Sequence, residues 1–161
     1  MKKLLSALLV LVMLLSLPGV GALAASDALT WSLDKKGTLT ISGKGEMPDY
    51  SGDTPPWEKY RDDIKAVVIE KGVTHIGAQC FQFCTNLKSV TIPSSVESIG
   101  AAAFYRCEKL SAVYYGGTAS DWNKIEIERY NKRLTSAELV IADTETSAPA
   151  PSGKPVGGKL K

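Results

Sequence analysis

One histidine and three cysteines are the residues of this chain best equipped for chemistry. His75 stands in Val73-Thr74-His75-Ile76, and Cys84 follows nine positions later. A thiolate–imidazole pair needs the ring within hydrogen-bond reach and a third group to orient it. The surrounding spacing supplies no such group, and no Ser-His-acid arrangement can be argued from it. His75 therefore reads as a solvated loop residue rather than a catalytic base or pH sensor. Zinc asks for four ligands at spacings such as C-x-x-C, which Cys80, Cys84, Cys107 and a single histidine do not offer. Asp49-Tyr50-Ser51-Gly52-Asp53 sets oxygens at alternate positions, as a calcium loop does. Its sixth position is not glycine and no glutamate stands at the twelfth, so it reads as a polar turn. Gly43-Lys44-Gly45 lacks the third glycine of a dinucleotide site and reads as a turn as well. Asp62, Asp63, Glu126 and Glu128 read as solvated charges, because paired carboxylates do catalytic work only inside a cleft. The chain reads as non-enzymatic, with no catalytic residue, no cofactor and no metal.

The elements that would carry any other activity follow from length and composition. A chain of 161 residues with 44% hydrophobic and 22% charged residues fits one compact unit with attachments. Residues 1–24 read as a secretory signal: Lys2-Lys3, an apolar stretch over residues 4–17, Pro18-Gly19, then Ala22-Leu23-Ala24 as a cleavage site. An uncleaved anchor is the competing reading, but the apolar run breaks before the roughly 20 residues that cross a bilayer. Without Lys2 and Lys3 the chain carries 17 basic and 17 acidic residues. That neutrality argues against a nucleic-acid partner, whose phosphates require clustered cations. The leader implies a secreted or cell-surface protein with no membrane insertion after cleavage. Residues 143–161 hold three prolines and three glycines with few apolar side chains, and they read as a flexible tail.

The middle of the chain repeats. Residues 64–86 (IKAVVIEKGVTHIGAQCFQFCTN) and 87–109 (LKSVTIPSSVESIGAAAFYRCEK) align without a gap at a period of 23 and are identical at nine positions. These include Val67/Val90, Ile69/Ile92, Val73/Val96, Ile76/Ile99, Gly77/Gly100, Phe81/Phe104 and Cys84/Cys107. A third, degenerate copy begins at Leu110, keeps Val113, sets Tyr115 at the Ile69/Ile92 place, and drifts after Gly116-Gly117 over residues 110–142. Alternation puts Val90 and Ile92 on one face of a short strand and Ser89 and Thr91 on the other. Val96, Ile99 and Phe104 return beneath that strand, and Gly100 marks a tight turn. One such coil cannot bury its inner face alone. Stacked coils can, with parallel strands about 4.8 Å apart and like residues over like.

The unit L-x-x-V-x-I-P-x-x-V-x-x-I-G-x-x-A-F-x-x-C resembles the BspA-like, Treponema-type bacterial leucine-rich repeat. Ala103-Phe104 and Cys107 fit the A-F-x-x-C ending, whereas Cys80 replaces the alanine of that motif. Thr30-Trp31-Ser32-Leu33 through Gly45 resembles the T-W-x-L-x-x-x-G-T-L-x-I-S-G-x-G hairpin with which such proteins often start, so the likeness extends over residues 29–141. It implies a mainly β repeat solenoid displayed at the cell surface to bind host matrix or other cells. The same module is also fused to wall-active or polysaccharide-active enzymes, so the alternative is a targeting fragment of a larger extracellular enzyme.

The flanks read as caps. Residues 25–63 would form an N-terminal one, in which Leu29, Trp31 and Leu33 face Leu39 and Ile41 in a hairpin with Gly37 in its turn. Thr54 would cap a short helix carrying Trp57, Tyr60 and Ile64. Thr118 and Asp121 read as a capping box opening a helical turn around Trp122, and residues 139–141 as a closing strand. Cys84 and Cys107 share one slot in consecutive coils, near enough for a bridge. They read as buried thiols, with a Cys84–Cys107 disulfide as the alternative and Cys80 as a further participant. If the repeat strands line a concave face, its outward columns are Ala66/Ser89/Ala112, Val68/Thr91/Tyr114 and Glu70/Pro93/Gly116. Ala66, Val68, Ser89, Thr91, Ala112 and Tyr114 are therefore the candidate binding residues for an extracellular protein or glycan. Tyr114 and its neighbour Trp122 would be the aromatic anchors. Three strands present on the order of 250 Å², against roughly 800 Å² per partner in a stable interface. A single monomeric copy should bind weakly.

Overall fold

The computed structural model describes residues 28–141 and 156–160. The expected leader at residues 1–24 lies outside them. β1 (Thr30–Leu33) and β2 (Thr38–Ser42) form the antiparallel hairpin, with Trp31 opposite Ile41 and Leu33 opposite Leu39. Gly37 turns it at φ +88°, while Asp34 Oδ1 accepts the N–H groups of Lys36 and Thr38 at 2.9 and 2.8 Å. β3 (Gly45–Glu46) follows, then a 3-10 turn at Glu58–Asp63. The repeats contribute β4 (Ala66–Ile69), β5 (Val73–Ile76), β6 (Ser89–Ile92), β7 (Ser98–Ile99), β8 (Ala112–Tyr115) and β9 (Glu126–Ile127). Short helices at Ala119–Trp122 and Lys132–Thr135 flank β9, and β10 (Glu138–Ile141) and β11 (Val156–Lys159) complete the order.

Two sheets result. One runs β10-β8-β6-β4-β2-β1-β11, the other β3-β5-β7-β9. Each of the pairs β2/β3, β4/β5, β6/β7 and β8/β9 sends one strand to each sheet, so four successive coils stack. β4, β6 and β8 pair in parallel without a shift: Ala66 lies beside Ser89 and Ser89 beside Ala112. The third side of the coil is bonded too, through Gln79 N–H to Ala101 O (3.1 Å), Phe81 N–H to Ala103 O (2.9 Å) and Phe83 N–H to Tyr105 O (2.8 Å).

The first coil was only half visible in the sequence. β2 pairs in parallel with β4, Thr38 beside Ala66, and β3 pairs with β5. The segment expected as a lid is therefore a full coil with a longer loop, closed by the added strand β1. Trp57 fills the aromatic place of that coil. Its ring stacks on Phe81 at 5.6 Å and 16°, Phe81 lies 5.3 Å from Phe104, and Trp57 Nε1 donates to Cys80 O at 2.9 Å. Anchored in this way, Trp57 precedes the 3-10 turn, which has no side-chain cap; Thr54 does not cap a helix there. The degenerate third copy keeps the coil as well, and its extra residues form the helix Ala119–Trp122. Thr118 and Asp121 make its capping box, and the Thr118 hydroxyl with Lys124 holds the Asp121 carboxyl down to about 2. After Phe104 the ring contacts stop: Asn131, 3% exposed, stands in register with Ala103, and its Oδ1 accepts Phe104 N–H (3.0 Å) while its Nδ2 donates to Gly100 O (2.9 Å) and Glu128 O (3.0 Å).

Gly77 and Gly100 recur for a packing reason. A Cβ at Gly77 would stand 2.0 Å from Pro48 O, and one at Gly100 would stand 2.5 Å from Ala78 N in the coil before it. The glycines let neighbouring backbones touch. Cys80, Cys84 and Cys107 are free and buried, at 1%, 1% and 0% exposure. Within the expected flexible tail, Val156–Lys159 departs from the reading: it is a strand paired antiparallel with β1, because that edge offers an unfilled row of backbone groups.

Replacing Phe81 by alanine removes the middle of the aromatic stack and should cost about 3–5 kcal/mol, read as a lowered urea midpoint, while Tyr114→Ala on the exposed face should stay within about 0.5 kcal/mol. Gly100→Ala forces its methyl into Ala78 and should cost about 1–3 kcal/mol. Burial lifts all three thiols, Cys107 from 9.0 up to about 12. The folded state holds those protons more tightly than the unfolded chain. Their contribution is complete below about pH 9 and is lost as the pH climbs toward 12. Unfolding free energy should fall over that window, with a smaller slope in Cys107→Ala.

Candidate functional site

The six candidate binding residues come together on one surface. Ala66, Ser89 and Ala112 form one cross-strand row, and Val68, Thr91 and Tyr114 the next. Their neighbours Val67, Val90, Val113, Ile69, Ile92 and Tyr115 point inward and are buried. Over these three strands both rows are uncharged, Glu138 of β10 continues the first row beside Ala112, and Tyr114, 44% exposed, is the large aromatic. Trp122 does not join it. Its ring packs edge-on against Tyr115 at 5.2 Å, on the inner side, because the helix that carries it folds back over the core. The sheet is wider than the three repeat strands: β2, β1 and β11 extend it on one side and β10 on the other. Six strand spacings by four residues give about 29 by 13 Å, on the order of 400 Å².

A second surface was not foreseen. Phe83 (39% exposed), Tyr105 and Tyr130 (62% exposed) form a ladder along the stack, with ring centroids 5.8 and 6.4 Å apart and planes near perpendicular. The guanidinium of Arg61 lies 5.5 Å over Phe83, Arg106 lies 5.5 Å over Tyr105 and Arg129 lies 5.5 Å over Tyr130. A guanidinium held on a ring keeps its fork oriented and weakly hydrated. Arg61 also pairs with Glu58, and Arg106 approaches Glu108 at 3.7 Å. Phe83, Arg106 and Tyr130 have left-handed backbones, at φ +62°, +60° and +68°. Gln79 and Ala102 share this conformation at φ +60° and +56°, so it recurs along the stack as a feature of the repeat turn. The sequence signal was thin: Phe83 and Arg106 occupy the same repeat slot with unlike chemistry, and only stacking brings the rings into contact.

His75 is also placed differently from the reading. It lies in β5, not in a loop, with its side chain 20% exposed. Its Nδ1 is 2.7 Å from Ser98 Oγ on β7, and its Nε2 is 3.5 Å from Asp49 Oδ1, which also accepts Ala78 N–H at 2.5 Å. Serine, histidine and aspartate thus do line up, because His75 and Ser98 share a cross-strand pair and the loop after β3 delivers Asp49. The alignment fastens neighbouring coils. Ser98 Oγ lies on a two-residue strand whose neighbours already pair on both sides with β5 and β9, so the row reads as a cross-coil staple. Asp49 is engaged across coils by Ala78 N–H and Asp53 locally by Thr54 N–H at 2.8 Å. Among the described residues no group of three or more His, Cys, Asp or Glu side chains is placed to hold a metal ion. No helix among them is long and apolar enough to cross a membrane. A cavity of about 490 Å³ opens between Ala28, Leu29, Met47, Pro48, His75 and Leu160, rimmed by Lys44, Glu46 and Asp49.

Comparison with known proteins agrees with this geometry. The family described as a BspA type leucine-rich repeat region (6 copies) matches residues 59–139. The crystal structure of a leucine-rich repeat protein from Eubacterium ventriosum is similar, at 41% identity and a TM-score of 0.53 over 56% of this chain. That overlap is 24% of the other protein, so this chain spans about a quarter of its length. No curated protein matches the chain. Repeats of this family point to a protein-interaction module, a class that is typically non-enzymatic and often found at the surface or secreted. With its repeat, its parallel sheets and half its length matched, the chain belongs to the BspA-type leucine-rich-repeat family.

Proposed function

We propose that this chain is an exported, non-enzymatic adhesion module: a short solenoid, capped at both ends, that binds an extracellular protein or glycan by surface contact. The carrying observation is the unbroken register of Ala66/Ser89/Ala112 and Val68/Thr91/Tyr114 on a face that is uncharged over β4, β6 and β8. Small side chains let a partner approach the sheet closely, and Tyr114 gives it an anchor with little conformational freedom to lose. Export rests on the leader pattern of residues 1–24 and the surface character of the family. A face on the order of 400 Å² is about half of what one partner contributes to a stable interface, so a monomeric copy binds weakly and gains from multivalency.

The arginine–aromatic ladder favours a second reading, in which Phe83, Tyr105 and Tyr130 make the contact and the sheet is only scaffold. Arginine and tyrosine dominate binding hot spots, and the ladder holds both. As a fragment of a larger wall- or polysaccharide-active enzyme, the chain would use either surface to target its neighbour.

Residues 25–161 titrated over immobilised fibronectin, fibrinogen, mucin glycans and peptidoglycan should give one saturable partner. Thr91→Arg should abolish that binding and Tyr114→Ala weaken it by roughly 30-fold, the scale of a 2 kcal/mol hot spot. Loss in Tyr105→Ala and Tyr130→Ala with Thr91→Arg unaffected would move the site to the ladder. Absence of binding to every ligand at high micromolar concentration would overturn the adhesion reading.

A further inference from the structure

A sheet edge offers a row of unpaired N–H and C=O groups, and edges are where added strands dock. Here the edge of β1 is covered by Val156–Lys159, with Leu33 opposite Val156, Ser32 opposite Gly157, Trp31 opposite Gly158 and Thr30 opposite Lys159. Beyond the strand, Leu160 N–H donates to Leu29 O at 3.0 Å.

Two features, at Gly157 and Leu160, make this contact selective. A Cβ at Gly157 would stand 1.9 Å from Trp31 O and 2.9 Å from Ser32 Cα, both backbone atoms, so only glycine fits opposite Ser32. At Gly158 a Cβ would meet the Trp31 indole at an ordinary 3.4 Å, so that position does not require glycine. Leu160 packs against the core at the cavity of about 490 Å³, beside Leu29, Met47 and Pro48. The edge therefore reads a peptide by main-chain bonds, by a required glycine, and by an apolar side chain three positions on that enters a pocket with room beyond leucine. The segment that fills it is a poor strand former, since two adjacent glycines weaken a strand and leave few side chains to pack. A weak filler in a selective slot is displaceable.

Building on the reading of the chain as a protein-interaction module, we propose that the β1 edge is an acceptor for an extended, glycine-containing peptide strand of a partner protein. Residues 156–160 occupy the edge in cis as an autoinhibitory plug. A partner segment with glycine opposite Ser32 and an apolar residue in the Leu160 pocket adds to the sheet in their place. Residues 142–155 tether the plug, at an effective concentration on the order of millimolar. Against a peptide Kd near 100 μM, that tether weakens binding in trans about tenfold.

The test uses the full chain and a fluorescein-labelled peptide of residues 154–161, read by fluorescence anisotropy. Gly157→Val in the chain drives a side chain into Trp31 O and empties the edge. Retained hydrogen-exchange protection at Ser89–Ile92 verifies that the coils stay folded. The peptide should bind this variant saturably and the unsubstituted chain at least tenfold more weakly. A peptide carrying Gly157→Val should not bind, and one carrying Leu160→Ala should bind at least tenfold more weakly. Should Gly157→Val lose protection in the coils, Gly158→Pro in the chain empties the edge by removing a backbone donor instead. No saturable binding to the vacated chain, or equal affinity for vacated and unsubstituted chains, would overturn the proposal. Either result leaves the sheet face and the ladder to be judged separately, since Thr91 and Tyr130 are remote from β1.

Discussion

A coil of some two dozen residues has an inner surface but no interior, and that constraint governs the whole molecule. Val67, Ile69, Val73, Ile76 and Phe81 are nearly inaccessible only because equivalent residues lie over them in the next coil. The backbone obeys the same rule, its N–H and C=O groups bonding across coils on all three sides. Burial and hydrogen bonding therefore run along one axis, and each coil stands or falls with its neighbours. A residue lost from one layer unpacks the layers above and below it. This explains why sequence identity between the units is concentrated at inward positions, while outward positions such as Ser98 and His75 are free to differ.

That rule also sets what could be read in advance. Strands β4, β6 and β8, their inward and outward faces, the hairpin and the Thr118 capping box all follow from local alternation, turn chemistry and an ungapped period, whereas β5 and β7 were not legible as strands. Trp57 as the aromatic of the first coil did not, because a loop of different length separates it from the repeat and only its packing on Phe81 reveals the equivalence. The row Asp49, His75, Ser98 was hidden for a related reason: its members come from three coils and meet only when the stack forms. The arginine–aromatic ladder combines two repeat slots, so no column of the alignment displays it. Proline and glycine content marked residues 143–161 as poor structure formers, which is correct as composition. Composition cannot register that a neighbouring edge lacks a strand and accepts even a weak one.

The surfaces differ in character. The sheet face is uncharged over β4, β6 and β8, with one aromatic, and owes its regularity to the register of those strands. The ladder is ridged and aromatic, with Arg61 and Arg106 set beside Glu58 and Glu108. Both are also modest in area, so function by a single copy depends on anchors and by an array on repetition.

Asn131 carries a consequence for how such a molecule changes size. It stands in register with Ala103 at the end of the aromatic column, and two of its bonds are made to Phe104 N–H and Gly100 O of the last regular coil, the third to Glu128 O of its own. A further coil laid beyond it would meet a polar side chain that is already committed. Duplicating residues 89–111 upstream, by contrast, would present Asn131 with the same Gly100-like carbonyl and Phe104-like amide that it meets now. Lineages of this architecture should therefore lengthen by insertion in the middle, as a zip is lengthened by adding teeth and not by moving its stop.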